Sequence, residues 1–214
     1  MPRLSLVQRY GFENPFVPDP LLKKAVRYCR GEKVLDVGCG EGADSVYFAG
    51  KGFNVTSIDR NDEYLSRFRR YKRENELSPI TIRQQDVRTF GFPANTYDVI
   101  SSILVVCCMK RSEFEKTSRK IKSSVKRGGI VIMSSRNYLD PELQDYTGKQ
   151  RMIEPNTFAA KDGCCKFVYF IEKGRLREMF DDFEVLYYFE GYKPCKYHEH
   201  PRHGDSLLIC RRPG

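Results

Sequence analysis

The chain has 214 residues, a net charge of +9 and eight cysteines. The length suits one α/β domain with a sizeable core, and no stretch approaches the ~18 apolar residues of a membrane span. No C-x-x-C pair occurs, and Cys107-Cys108 and Cys164-Cys165 are neighbours that could bridge only with strain, so reduced thiols in a cytoplasmic protein are expected.

Met1 to Tyr10 carries two arginines and no long apolar run, which is unlike a secretory signal. Arg9 to Pro20 reads as an irregular lead-in, in which Tyr10 or Phe12 could wall a ligand site or simply pack. Asp19-Pro20 can start a helix whose apolar face is Leu21, Leu22, Ala25 and Val26. A buried strand, Lys33 to Val37, then runs into the turn Gly38-Cys39-Gly40-Glu41-Gly42 and a helix marked by Ala43, Val46, Tyr47 and Ala49. Strand two is Asn54 to Ile58, followed by a helix from Asp62 to Glu74. Strand three, Ile80 to Gln85, ends at Asp86, and strand four is Tyr97 to Leu104. A helix from Ser112 to Val125 leads through Arg127-Gly128-Gly129 into strand five, Ile130 to Ser134.

From Ser135 to Val168 the pattern fails, and this long polar segment reads as a flap on the ligand side. Lys173 to Phe180 reads as a helix, Phe183 to Phe189 as a strand, Gly191 to Gly204 as a loop, and Ser206 to Arg211 as the last strand. The alternation of strand and helix predicts a doubly wound, mostly parallel seven-stranded sheet with helices on both faces and an antiparallel last strand. One domain is expected over 1–214, with a lead-in and helix at 1–30, a cofactor core at 31–134, the flap at 135–172 and a helix and hairpin at 173–214.

The strand, glycine turn and helix around residues 33–49 form a cradle that lets a ligand approach backbone N–H groups. Gly38-x-Gly40-x-x-Ala43 also satisfies a dinucleotide fingerprint. Asp36 discriminates, because a carboxylate there repels a pyrophosphate and suits a cationic amino group. Asp59 follows strand two, where an acid takes a ribose hydroxyl pair, and Asp86 closes strand three. An amine, a ribose and an adenine amino group are all present in S-adenosylmethionine, which has no phosphate.

With these residues, and with Val125-Lys126-Arg127-Gly128-Gly129 before a strand, the chain resembles the class I S-adenosylmethionine-dependent methyltransferases over roughly residues 20 to 135. The candidate cofactor-binding set is Asp36, Gly38, Cys39, Gly40, Asp59, Arg60, Asp86, Val87 and Ser102. Ser101-Ser102-Ile103-Leu104 stands where enzymes methylating base amines resemble one another in an (Asp/Asn)-Pro-Pro-(Tyr/Phe) motif, and its absence argues against that chemistry.

Ser45 to Ala49, Gly52 to Thr56, Tyr169 to Phe180, Phe183 to Tyr188, Glu190-Gly191 and the tail from His203 to Arg212 are similar to the tellurite-resistance methyltransferases. That resemblance implies a small-molecule acceptor, such as an oxyanion of selenium or tellurium or another soft nucleophile. The chain departs from that family at Ala43-Asp44 and at Arg175. His203 and Arg177 are the candidate catalytic residues, as cations for an anionic acceptor or, for His203, as a base.

Cys195, His198, His200 and His203 are close in sequence but match no common zinc spacing, so no metal is expected. Cys107-Cys108 follows an apolar strand and reads as packing. The basic clusters at Arg67 to Arg73 and Lys116 to Arg127 read first as solvated helix faces and second as a phosphate-binding face, so nucleic acid is the weaker expectation for a partner. The competing function is a cofactor-binding or RNA-binding protein without catalysis, and a nucleotide-binding oxidoreductase stands third.

Overall fold

The computed structural model describes residues 16–160, 165–194 and 201–214. The expectations for Tyr10, Phe12, Cys164, Cys195, His198 and His200 lie outside the described residues. In chain order the elements are α1 (Pro20–Ala25), β1 (Lys33–Val37), α2 (Ala43–Ala49), β2 (Asn54–Asp59), α3 (Asp62–Glu74), β3 (Ile80–Gln84), β4 (Tyr97–Ile103), α4 (Arg111–Ser124) and β5 (Val125–Arg136). There follow α5 (Glu142–Lys149), the short strands β6 (Met152–Glu154), β7 (Thr157–Ala159) and β8 (Phe167–Tyr169), then α6 (Arg175–Glu178), β9 (Glu184–Pro194) and β10 (Arg202–Arg211).

Local chemistry explains the helix starts. The Asp19 carboxylate accepts the Leu21 N–H at 2.8 Å, and Pro20 takes the first helical position of α1. Asn61 caps α3 by accepting from Glu63 at 3.0 Å, and Glu113 reaches back to the Lys110 N–H at the start of α4.

The main sheet has the order β3-β2-β1-β4-β5-β10-β9. The β1, β2, β3, β4 and β5 pairings are parallel, while β10 runs antiparallel to both β5 and β9. Strand order reverses between β1 and β4, and that switch point opens a crevice beyond the carboxyl ends of the strands. One face buries Leu35, Ile100, Val131 and Leu208 under Phe114 and Ile121 of α4 and Leu176 of α6. The other buries Val34, Val55, Val99 and Ile132 under Leu22, Phe48, Leu65 and Phe68 of α1, α2 and α3.

The structure corrects the second half of the sequence reading. Residues 135–172 are not patternless: α5 and the antiparallel sheet β6-β7-β8 pack Tyr146, Phe158, Val168 and Phe170 into a small apolar cluster of their own. The strands were too short for a periodicity of two to stand out. The expected loop at 191–204 is strand over 191–194 and 202–204, since β9 runs to Pro194 and β10 begins at Arg202, with His203 paired to Lys193. The helix expected over 173–180 contracts to Arg175–Glu178, started by Gly174 in the left-handed region. Strand five extends at both ends, from Val125 to Arg136.

Candidate functional site

The cradle forms as its residues dictate. Gly38 and Gly42 have φ of +68° and +91°, and a Cβ at either would strike Val105 or the Phe68 ring at 2.3 Å. Only glycine satisfies both the backbone and the space there. The Gly38 and Cys39 N–H groups donate to the Ile58 carbonyl at 2.7 and 3.0 Å, pinning the turn against β2.

Asp36 is 2% exposed at the end of β1. Register places it between Ser57 of β2 and Ser101 of β4, on the face covered by α2. Ser45 of α2 donates to its carboxylate, and the Ser45 and Ser57 hydroxyls lie 2.7 Å apart. Burial, then the charge of Asp44, raises its pKa to about 8 against the Ser45 hydrogen bond. Burial of this kind penalises the carboxylate until a cationic ligand group arrives to pair with it. Ser101 and Ser102 are both fully buried, and their hydroxyls have no hydrogen-bond partner among the described residues. Ser101 shares the Asp36 face, whereas Ser102, the residue chosen from sequence, alternates to the other face opposite Met133.

Asp59 closes β2 and accepts from the Gly40 N–H at 3.0 Å and the Asn61 N–H at 2.8 Å, so it ties the glycine turn to the start of α3. Nothing lies within 4 Å of where a Gly40 Cβ would be. Cys39 is buried beside it, its thiol pushed up by burial and by Asp36. Arg60 is exposed and near enough to Asp86 to favour that group's charge. Asp86 carries a partner the sequence reading did not foresee: Arg88 grips both carboxylate oxygens, with Nε at 2.9 Å from Oδ1, and holds the carboxyl below its usual range. Val87 packs partly buried against the α4-side core.

Leu104, just beyond β4, is a non-glycine residue at φ +54° and is 42% exposed. Its N–H donates to the Ser134 carbonyl, and its own carbonyl accepts the Cys107 thiol at 3.2 Å and the Cys108 thiol at 3.7 Å. An apolar side chain in that backbone region at a strand end marks a constrained wall of the crevice. Cys107 is buried as expected, and Cys108 is half-buried.

At the carboxyl end of β5 lies a second polar cluster. The Asp140 side chain is fully buried, with the His203 Nδ1 at 3.3 Å and the Arg136 guanidinium at 4.0 Å. Burial opposes its charge, but His203 and Arg136 outweigh burial and hold the carboxyl below its usual range. Arg136 also pairs with Glu142 at 2.6 Å. His203 is 14% exposed. Arg177 is not brought to this cluster. It lies on exposed α6, beside Tyr188. Tyr188 and Ser206 share Glu190, on the face of β10 opposite His203. Asp140 and Arg136 left no signal beyond a turn-forming Asp-Pro and one arginine among many, because His203, which completes the cluster, is remote in sequence. Among the described residues no group of three or more His, Cys, Asp or Glu is placed to hold a metal ion, and no helix is long and apolar enough to cross a membrane.

Residues 34–129 match the family described as a methyltransferase domain. The chain is 31% identical over 138 residues to the "Probable S-adenosyl-L-methionine-dependent methyltransferase TehB" of Haemophilus influenzae, covering 58% of this chain and 48% of that protein. It is 31% identical over 125 residues to glycine N-methyltransferase of Oryctolagus cuniculus, covering 51% and 42%. With the ubiquinone biosynthesis O-methyltransferase of Actinobacillus pleuropneumoniae it shares 35% over 133 residues, covering 58% and 53%. The chain thus spans about half the length of these relatives. The crystal structure of the H. influenzae TehB superposes with a TM-score of 0.72 at 20% identity, over 97% of this chain and 65% of the other, which shows a shared fold.

Proposed function

We propose that this chain, a class I S-adenosylmethionine-dependent methyltransferase by its fold and by the family to which residues 34–129 belong, transfers a methyl group to a small-molecule acceptor. The acceptor class we favour is an oxyanion of selenium or tellurium, or another soft nucleophile. The relatives' names cover glycine N-methylation and O-methylation in ubiquinone biosynthesis as well as TehB, so the acceptor is argued from this chain's own residues.

The residues present fit S-adenosylmethionine. Asp36 with the orphan Ser101 hydroxyl suits an ammonium group, Asp59 a ribose hydroxyl pair, and Asp86 an adenine amino group. Three acids at three neighbouring strand ends disfavour a diphosphate at the same place. When bound, the cofactor supplies a methyl group on a sulfonium already activated for displacement.

The chain's own part is binding, orientation and exclusion of water, which supply much of the rate in such a transfer. Leu104, the partly buried Val105 and the buried Val106 and Cys107 present an apolar wall between the cradle and β5. His203 sits with Nδ1 3.3 Å from the Asp140 carboxylate, and its ring is the group we assign to meeting the acceptor. With an oxyanion it would hold the negative oxygen. With an acceptor carrying a proton it would take that proton.

The observation carrying this reading is the buried His203–Asp140–Arg136 cluster at the end of the sheet where the glycine cradle opens. The test is methyl transfer from labelled S-adenosylmethionine across selenite, tellurite, thiols, amines and phenols. Turnover is expected on a chalcogen oxyanion or thiol. Cofactor binding without transfer to any acceptor, together with salt-sensitive RNA binding, would instead establish a non-catalytic protein.

A further inference from the structure

We propose that the cavity between the Asp86–Arg88 turn and the outer face of α4 is a binding site for a phosphate group, and that filling it frees Asp86 for the cofactor. The inference rests on Asp86 being the partner of the adenine amino group.

The cavity has a volume of about 390 Å³, and its lining includes Arg88, Lys116, Arg119 and Lys120 against the single acid Glu113. Lys116, Arg119 and Lys120 share one helical stripe. Among the described residues Lys116 and Arg119 have no acid within ion-pair distance, and the Lys120 ammonium donates to the Arg88 carbonyl at 3.0 Å. Four cations around one concavity raise the local potential and favour an anion there. An arginine fork flanked by lysines matches a phosphate better than a carboxylate, which presents fewer oxygens.

Arg88 is common to both sites. Its guanidinium holds both Asp86 oxygens and stands 3.4 Å from Glu113. The Arg88 N–H also donates to Asp86 at 2.9 Å. A carboxylate so engaged has little acceptor capacity left for an amino group. A phosphate in the cavity offers Arg88 a second bidentate partner, and each contact Arg88 gives to phosphate is one withdrawn from Asp86. Coupling of this kind is reciprocal, so the cofactor would tighten phosphate binding by the same factor.

The experiment titrates S-adenosylmethionine into the full chain by calorimetry, in chloride and in inorganic phosphate or pyrophosphate at matched ionic strength. Phosphate alone is titrated in parallel. Cofactor affinity should rise about fivefold or more with either phosphate, the lower range of ordinary coupling. The double variant Lys116→Glu, Arg119→Glu should lose phosphate binding and the enhancement while keeping the chloride affinity. Arg88→Ala should bind cofactor in chloride as tightly as the unaltered chain does in phosphate. An equal cofactor affinity in chloride and phosphate would overturn the coupling, and cofactor binding without saturable phosphate binding would overturn the site. Saturable phosphate binding with no cofactor binding would remove the Asp86 assignment and the coupling, and leave the anion site standing. Enhancement by a single-stranded RNA but by neither inorganic ion would show a nucleic-acid surface in place of a small-anion site.

Discussion

The two ends of the main sheet solve the same problem differently. Around β1, β2 and β3 each candidate acid stands at or just beyond the end of its strand, and its contacts come from the next turn or helix, apart from the Gly40 N–H on Asp59. Asp59 bonds Asn61, and Asp86 bonds Arg88, two residues on in each case. Around β5 and β10 the cluster is assembled at a distance: Asp140 comes from a loop, His203 from a strand sixty-three positions later, and Arg136 from a strand end. The first kind of site is written in local pattern and the second in topology. The cofactor end should therefore fail sharply when a backbone position is altered. The acceptor end should fail through single side chains and leave cofactor binding intact.

The largest effect is expected at Asp59. Asp59→Ala removes the acceptor for the Gly40 and Asn61 N–H groups as well as the proposed ribose partner, and should weaken cofactor binding about 100-fold, as two charge-assisted hydrogen bonds would. Unchanged affinity by calorimetry would detach Asp59 from the ribose. Gly42→Ala should cost about 2 kcal/mol or more in unfolding free energy, because it combines a left-handed backbone with a collision against Phe68. Denaturant unfolding with an unchanged midpoint would show that the turn relaxes freely.

Asp36 gives an effect whose sign depends on pH. Folding raises its pKa from 3.8 to about 8, so the folded chain binds this proton more tightly than the unfolded one. Its contribution to stability is fully present in acid and is lost as pH rises from about 4 to about 8. Asp36→Asn should therefore raise the melting midpoint of the unliganded protein at pH 8 by about 3 °C or more, and leave it unmoved near pH 4. A variant less stable at pH 8 would contradict the neutral, buried acid. At the acceptor end, His203→Ala should lower kcat/KM about tenfold, the loss of one charge-assisted contact, without altering cofactor affinity. Arg177→Ala should have the smallest effect, since it stands beside Tyr188, on the other face of the sheet from His203. A larger loss at Arg177 than at His203 would move the acceptor to the other face of β10.

How legible each region was in the sequence follows the same division. The order of strands and helices through β5 was readable because Asp19 and Asn61 cap α1 and α3, β1 runs into a glycine turn and β2 ends at Asp59. The correct face at β4 was not: Ser101 and Ser102 are adjacent serines, and only register with Asp36 distinguishes them. The lock of Arg88 on Asp86 was two residues away and could have been suspected. The three-stranded sheet after α5 was hidden by strands of three residues, too short to show alternation. Leu104 in the left-handed region had no signal, because its backbone is imposed by Ser134 on one side and the cysteine turn on the other.

The central claim is that a buried acid ahead of the glycine turn selects an ammonium-bearing cofactor over a diphosphate. Calorimetry at pH 7, in buffers of different ionisation heat, tests it directly with S-adenosylmethionine and NAD offered in turn. Saturable binding of S-adenosylmethionine with release of a proton from Asp36, and no heat from NAD, is the predicted result. NAD bound in the cradle with S-adenosylmethionine excluded would contradict it.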